Sequence, residues 1–347
     1  MNLLQQTIDS IQPLNREMMA AAKKRLDHLA GGTGQLGKLS DMAAQCAGIT
    51  GQLIPALPKK CMILMAADHG VARQGISAYP IETTIHMTKN YLISKGAGAN
   101  ALANFCQADL VVVDVGVAGD LSDLPGLWHR KIALGTKDFT EGPAMSREEA
   151  IKAVETGIEV VNTQIDKGYR CFSLGEMGIG NTTSSAAILA AFSGITPEQA
   201  TGRGTGISDS RMQVKVNVVR RGLAVNQPDP QDGLDVLQKV GGLELGGLAG
   251  VILAAAARRS LVVIDGFNAT AAALIAQAIQ PEVRHYLIGS HLSAEQAHNR
   301  ALEMLGLGAY IDMGLRLGEA SGASLGMDLL DLALELLQAT AGQEETI

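Results

Sequence analysis

Five short apolar runs, each closing in glycine or a polar side chain, constrain this chain more than any other feature of its sequence. CMILMA (Cys61–Ala66) closes on Ala67, Asp68, His69 and Gly70, and LVVVDV (Leu110–Val115) on Gly116. The run around Cys171, Phe172 and Leu174 closes on Gly175 and Glu176. LVVI (Leu261–Ile264) closes on Asp265 and Gly266, and Arg284–Ile288 on Gly289, Ser290 and His291. Runs that are apolar on both faces suit a parallel sheet covered on both sides. Alternating with helical sequence, they predict an α/β fold with an open parallel sheet, right-handed crossovers and helices on both faces. A ligand crevice is then expected outside the carboxyl ends of the strands.

The third run belongs to RCFSLGEMGIGNTTSSAAILAAF (Arg170–Phe192), a strand, a glycine turn and a helix N-terminus. Free backbone N–H groups at a helix start, close approach over glycines, and side-chain donors from Asn181, Thr182 and Thr183 make a phosphate cradle of Gly178, Ile179, Gly180, Asn181 and Thr182. A glycine-rich turn also serves tight strand–helix packing, and the stretch matches neither the dinucleotide fingerprint nor the P-loop. The acid Glu176 inside the turn favours the anion site. A second glycine-rich polar loop, TGRGTGISD (Thr201–Asp209), brings Gly202, Arg203 and Gly204, and Lys215 follows on the next helix. Arg203 and Lys215 read as phosphate ligands or as solvated charges, with position favouring Arg203.

The helical segments are expected at Pro13–Leu29, weakly within Thr33–Leu57, at Ile81–Leu92, from Ser146 to Gly168, from Ser210 to Val225, from GGLELGGLAG to Ala257, and at Leu325–Ala339. Ser146 with Glu149 forms a capping box. Gly119–Met145 reads as a long irregular connection, the kind that often forms a functional wall. The polar tail, Gly342–Ile347, is expected to fray.

The net charge of −7 without a dense basic run argues against nucleic acid as a partner. No basic-then-apolar leader and no run of about 18 apolar residues is visible, so no membrane association and a cytoplasmic location are expected. Cys46, Cys61, Cys106 and Cys171 have no metal-like spacing and read as reduced core thiols.

Among the acids, Glu319 in LRLGEASGA lies between apolar neighbours and glycines. Desolvation there would raise its pKa and suit it to general base work. The alternative is a cap on a helix beginning near Ser321. His291, Glu295 and His298 share helical spacing, but a capping box of Ser293 and Gln296 accounts for them better than a metal site. His69 beside Asp68 reads as a hydrogen-bonded strand-end histidine, since no nucleophile elbow accompanies it.

The blocks DHGV-x(4)-ISAYP, GT-x-DFT-x-GPAM, GEMGIGNTT, GRGTG, VGGLE, DGF-x-ATAAAL and RLGEASGA, in this order over nearly the whole chain, resemble the nicotinate-nucleotide:dimethylbenzimidazole phosphoribosyltransferases of cobalamin lower-ligand activation. The resemblance implies a Rossmann-like large α/β domain (36–311) and a small helical domain from the terminal segments (1–35 and 312–347). It also implies a dimer whose active site the partner completes. It assigns Glu319 as catalytic and Glu176 as a second acid, and places Lys215, Asp265 and Ser290 with the two glycine loops around phosphate and ribose. The substrates it implies are nicotinate mononucleotide and an aromatic base acceptor, with no metal or organic cofactor.

The acceptor segment departs from the family pattern: SAYPQEVTAQM reads SAYPIETTIHM here. Tyr79, Thr83, Met87, Met177 and Leu317 are expected to form the base pocket, with soft or weakly polar groups that suit phenol or p-cresol as well as dimethylbenzimidazole. RLGEASGA for RLGEGSGA and SAEQAH for SAEPGH are smaller changes. Two other readings are a subunit of a heteromeric enzyme formed with a paralogue, and a nucleotide-dependent oxidoreductase, against which the missing dinucleotide fingerprint counts.

Overall fold

The computed structural model describes residues 2–340; the expected frayed tail lies outside the described residues. Among the described residues six parallel strands form one sheet: β1 (Lys59–Ala67), β2 (Ala108–Gly116), β3 (Trp128–His129), β4 (Tyr169–Met177), β5 (Leu261–Val263) and β6 (Leu287–Ile288). Their spatial order is β3-β2-β1-β4-β5-β6. The chain winds outward one way through β2 and β3, then returns to the other side of β1 with β4. The order therefore reverses between β1 and β4, and the crevice that opens at their carboxyl ends is where ligands bind in such sheets.

Both faces are covered, as the doubly apolar runs require. Met65 of β1 packs under Gly247 of the helix Leu243–Ala257, while its neighbour Leu64 faces Gly175 on the other side, close to Ala320. Alternation along the strand sends successive side chains to opposite layers. On the Met65 side the helix Arg147–Asp166 forms a second layer, brought close because Gly157 lies against the Gly247 backbone and leaves no room for a Cβ. The Ser146–Glu149 capping box opens that helix as expected, with both reciprocal bonds present. Elsewhere Ser321–Ala339 packs on Lys38–Thr50, Gly98–Phe105 and β4, and Arg16–Leu29 packs on Lys38–Thr50. Leu3–Asp9 lies instead against Arg147–Asp166.

Several boundaries differ from the expectation. The run Arg284–Ile288 gives only Leu287–Ile288 as strand, because a 3-10 turn occupies Pro281–Tyr286 and draws the Tyr286 hydroxyl to the Gln12 carbonyl at 2.7 Å. The irregular connection holds the edge strand β3, two residues long and too short to show a period of its own. Helices at Gly98–Phe105, Pro197–Ala200 and Gly233–Val240 carry weak or short patterns that the sequence does not announce. The last helix begins at Ser321, where the capping alternative puts it, and not at Leu325; its cap is Asp265 from beyond β5, a tertiary contact that local sequence does not encode. All four cysteines are free and buried. Among the described residues no helix is long and apolar enough to cross a membrane.

Candidate active site

A cavity of about 660 Å³ opens at the carboxyl ends of β4, β5 and β6. Most of the expected site residues border it. From the glycine turn after β4 come Gly178, Ile179, Gly180, Asn181 and Thr182, with Glu176 and Met177 from the strand itself. Gly204, Asp265 and Glu319 close the polar end, and Tyr79, Thr83, Met87 and Leu317 line the remainder.

The turn delivers a helix N-terminus, as its sequence predicts: the helix Asn181–Ser193 starts there, and Gly180 holds a left-handed φ of 102° that a side chain would strain. The amides of Gly180 and Thr182 make no hydrogen bond with any described residue. These two N–H groups and the positive end of the helix dipole lie at the cavity wall, the features that suit a helix start to an anion. The side-chain donors differ from expectation. The Asn181 amide is turned inward to the Glu176 carboxylate, and Thr183 is fully buried. Thr182 Oγ1 accepts from Lys215 Nζ at 2.8 Å, and the same ammonium donates to the Gly202 carbonyl at 3.0 Å. Lys215 thus stands behind the cavity wall, and burial lowers its pKa to about 8, against a raising influence from Glu295.

Gly202, Arg203 and Ser290 are not brought to the cavity. Arg203 points outward, its guanidinium bonded to the Ile207 carbonyl at 2.8 Å and paired with Asp209. Its place beside a glycine loop does not carry it to the cavity, because its side chain turns back onto Ile207 and Asp209. Ser290 is buried and donates to the Ile264 carbonyl at 2.6 Å.

Glu319 sits in an unusual backbone. Gly318, Glu319 and Ala320 have φ of 80°, 57° and 59°, three left-handed residues in succession. For the two with side chains this costs roughly 1–2 kcal/mol each, and such strain persists where the surroundings fix it. The segment sets the carboxylate against the start of the helix Gly98–Phe105, where Oε2 accepts from the buried Ala99 amide at 3.2 Å. It does not cap its own helix; Asp265 does, with Oδ1 accepting from Gly322 at 2.7 Å and Ala323 at 3.1 Å. Burial raises the Glu319 pKa, opposed by the Ala99 bond and by the nearby Tyr91 hydroxyl, which helps the charge without reaching good hydrogen-bond geometry. Glu176, at 7% exposure, is pushed well above the carboxylate range, chiefly by burial, with Asn268 opposing and Glu244, Asp265 and Glu319 adding to the rise.

Sequence reasoning misses Ala99, which holds Glu319, Tyr91, whose hydroxyl lies near its carboxylate, and Glu295, whose Oε1 accepts from the Gly204 amide at 2.8 Å. Glu295 is visible in the sequence as one of three residues at helical spacing. Its setting differs from the expected one, however: the helix starts at His298 after Ala297, without a side-chain cap, and Ser293 Oγ takes the Glu295 amide instead. His298 is neutral, accepting from the Ser293 amide at Nδ1 and meeting Thr270 Oγ1 at Nε2, and burial lowers its pKa to about 3. His69 is hydrogen-bonded as expected, to Glu244 Oε1 at 2.6 Å and Ser184 Oγ at 3.0 Å, wholly inside the protein.

A helix start and a desolvated carboxylate that border one cavity are set in a chain that known proteins match over nearly its whole length. The phosphoribosyltransferase family model matches residues 11–347. The chain belongs to that family. The nicotinate-nucleotide–dimethylbenzimidazole phosphoribosyltransferase of Chloroflexus aggregans is 50% identical over 341 residues, 98% of this chain and 96% of the relative. That of Geotalea uraniireducens is 48% identical over 345 residues, 99% and 98% of the two chains. The crystal structure of CobT from Thermus thermophilus superposes with a TM-score of 0.89 at 41% identity, covering 93% of this chain and 96% of that one. The match extends across both glycine loops and the Glu319 segment, all of which contribute to the cavity wall.

Proposed function

We propose that this phosphoribosyltransferase moves the phosphoribosyl group of nicotinate mononucleotide onto an aromatic acceptor, 5,6-dimethylbenzimidazole or a related base or phenol. The products are an α-riboside 5′-phosphate and nicotinate. The observation that carries the reading is the placement of the Glu319 carboxylate and the N-terminus of Asn181–Ser193 on one cavity. The 5′-phosphate rests on the free amides of Gly180 and Thr182, with the Lys215 ammonium behind Thr182. Glu319, its basicity raised by burial, takes the acceptor's N–H or O–H proton as the acceptor attacks C1′. The C1′–nitrogen bond to nicotinate breaks on the opposite face, its electrons returning to the ring nitrogen, so C1′ inverts.

The acceptor end supports breadth. Met87 and Met177 are half-buried, and thioethers pack on ring edges without imposing hydrogen bonds. A pocket with no polar group dedicated to a second ring nitrogen loses little when that nitrogen is absent. Tyr79 and Leu317 at the rim are 57% and 58% exposed, which favours a dimer in which a second subunit covers them, a second copy of this chain or a paralogue. Light scattering of the purified chain, alone and mixed with a paralogue, reads that state.

A mass-spectrometric screen with nicotinate mononucleotide and dimethylbenzimidazole, adenine, phenol and p-cresol tests the reaction. Riboside phosphates from dimethylbenzimidazole and at least one phenol are expected. No product from any of the four would sink the reaction, and product from dimethylbenzimidazole alone at saturating phenol would sink the breadth.

A further inference from the structure

The segment Ser77–Pro80 carries Tyr79 to the cavity rim between the buried Ile76 and the helix Thr83–Leu92, and its own residues are half-buried at Ser77 and exposed at the other three. Apolar packing therefore does little to fix it. Hydrogen bonds from a different part of the chain do. Arg211 Nη1, on the helix Asp209–Asn226, donates to the Ser77 carbonyl at 2.8 Å. The Ala78 amide donates to Thr205 Oγ1 at 2.9 Å, and Ser77 Oγ lies 3.4 Å from the same hydroxyl. The Tyr79 amide then closes onto Ser77 Oγ at 3.1 Å.

Thr205 is the end of a strip that touches the other walls. The neighbouring Gly204 gives its amide to Glu295 and its carbonyl to Arg316 at 2.9 Å, three residues before Glu319. Lys215 joins the Gly202 carbonyl to Thr182 at the anion site. One backbone strip, Gly202–Thr205, is thereby bonded to the anion site, to the Glu319 segment and to the Tyr79 segment.

We infer that Arg211 and Thr205 are positioning residues for the acceptor: they hold Ser77 and Ala78, and through them set where Tyr79 stands over the slot. The inference rests on the reaction proposed above. Holding the rim in place before the acceptor arrives removes an ordering cost from acceptor binding. The phosphate rests on helix amides that these bonds do not touch, so nicotinate mononucleotide gains nothing from them. Arg211 reaches only a backbone carbonyl and does not border the cavity.

The test is steady-state kinetics of Arg211→Ala, with both substrates varied. The acceptor KM should rise about 3- to 10-fold, the worth of one hydrogen bond, while the nicotinate mononucleotide KM stays within about 2-fold. Arg211→Lys, which keeps a donor, should recover most of the loss, and Thr205→Val should raise the acceptor KM in the same direction. Hydrogen exchange at the Ala78 amide should quicken in Thr205→Val with the rest of the chain protected as before. An unchanged acceptor KM in Arg211→Ala, or an equal rise in both KM values, overturns the inference and leaves the reaction standing. A wild-type chain that turns over no aromatic acceptor overturns the reaction and this inference with it.

Discussion

A Cβ placed on Gly318 would stand 2.6 Å from Glu176 Oε1. Glu176 and Glu319, two of the acids that line the cavity, are therefore spaced by a residue that has no side chain and holds a φ of 80°. Gly318→Ala would meet both obstacles, a carboxylate whose partner Asn181 is itself fixed and a left-handed backbone. The variant is expected to lose about 1–3 kcal/mol of stability and to displace Glu319, lowering kcat. Thermal melts and kinetics check it; a variant with wild-type Tm and kcat would show that the Glu176–Gly318 contact does not fix the segment.

Glu319→Gln keeps size and the Ala99 contact, since the amide oxygen still accepts. Nicotinate mononucleotide binding should be retained and turnover should fall by about 10²–10⁴, the worth of a positioned base. In the wild type the base form is the ionised one. Because burial raises the Glu319 pKa, the acid limb of kcat should lie above the ordinary glutamate value of 4.5. A pH–rate profile measures this, and near-normal turnover of the glutamine variant removes Glu319 from the role.

Glu176 supplies a prediction about stability. Its folded pKa is raised, so between the unfolded value of 4.5 and the folded one the native state holds a proton that the unfolded chain has released. The stabilisation is complete below pH 4.5 and is lost as pH rises through the folded pKa. Glu176→Gln, which can still accept from Asn181, removes this dependence. The variant should gain Tm over wild type as pH rises from about 4.5 to 8, with the gap closing on acidification. A gap that is constant with pH would place the titration elsewhere.

What is legible in the sequence follows how local each signal is. The β1 and β4 strands and the helix start at Asn181 are written in contiguous residues and place the cavity; the Ser146 cap, equally local, opens a helix away from it. Glu319 is readable because its glycines and apolar neighbours adjoin it. The groups that hold it are not: Ala99 is 220 residues away and Asp265 caps a helix 57 residues on. Gly180 is instructive in another way. The sequence reading assigns it to close phosphate approach, so that Gly180→Val weakens substrate binding and spares the fold. In the structure a Cβ there would point toward His69 and Ala72, 3.2 Å from each Cβ. The glycine serves the turn's conformation, and its replacement should lower Tm as well as affinity.

Lys215 carries the last prediction. Its ammonium is enclosed, bonded to Thr182 Oγ1 and the Gly202 carbonyl, with Glu295 the charge that favours its protonated form. Burial brings its pKa to about 8, so it is charged at neutral pH and loses the charge within an accessible range. A cation directly behind Thr182 lowers the energy of a phosphate on that helix start, and the benefit disappears as the lysine deprotonates. The KM for nicotinate mononucleotide should therefore rise as pH passes about 8, with kcat changing less because the lysine stands behind Thr182 and not beside Glu319. Lys215→Met keeps an unbranched chain of similar length without the charge. It should have a raised KM at pH 7 and a flat profile above it, so that variant and wild type converge in alkali. If the wild-type KM stays level between pH 7 and 9.5 while the methionine variant binds more weakly throughout, the lysine acts by holding the Gly202 loop and not by its charge.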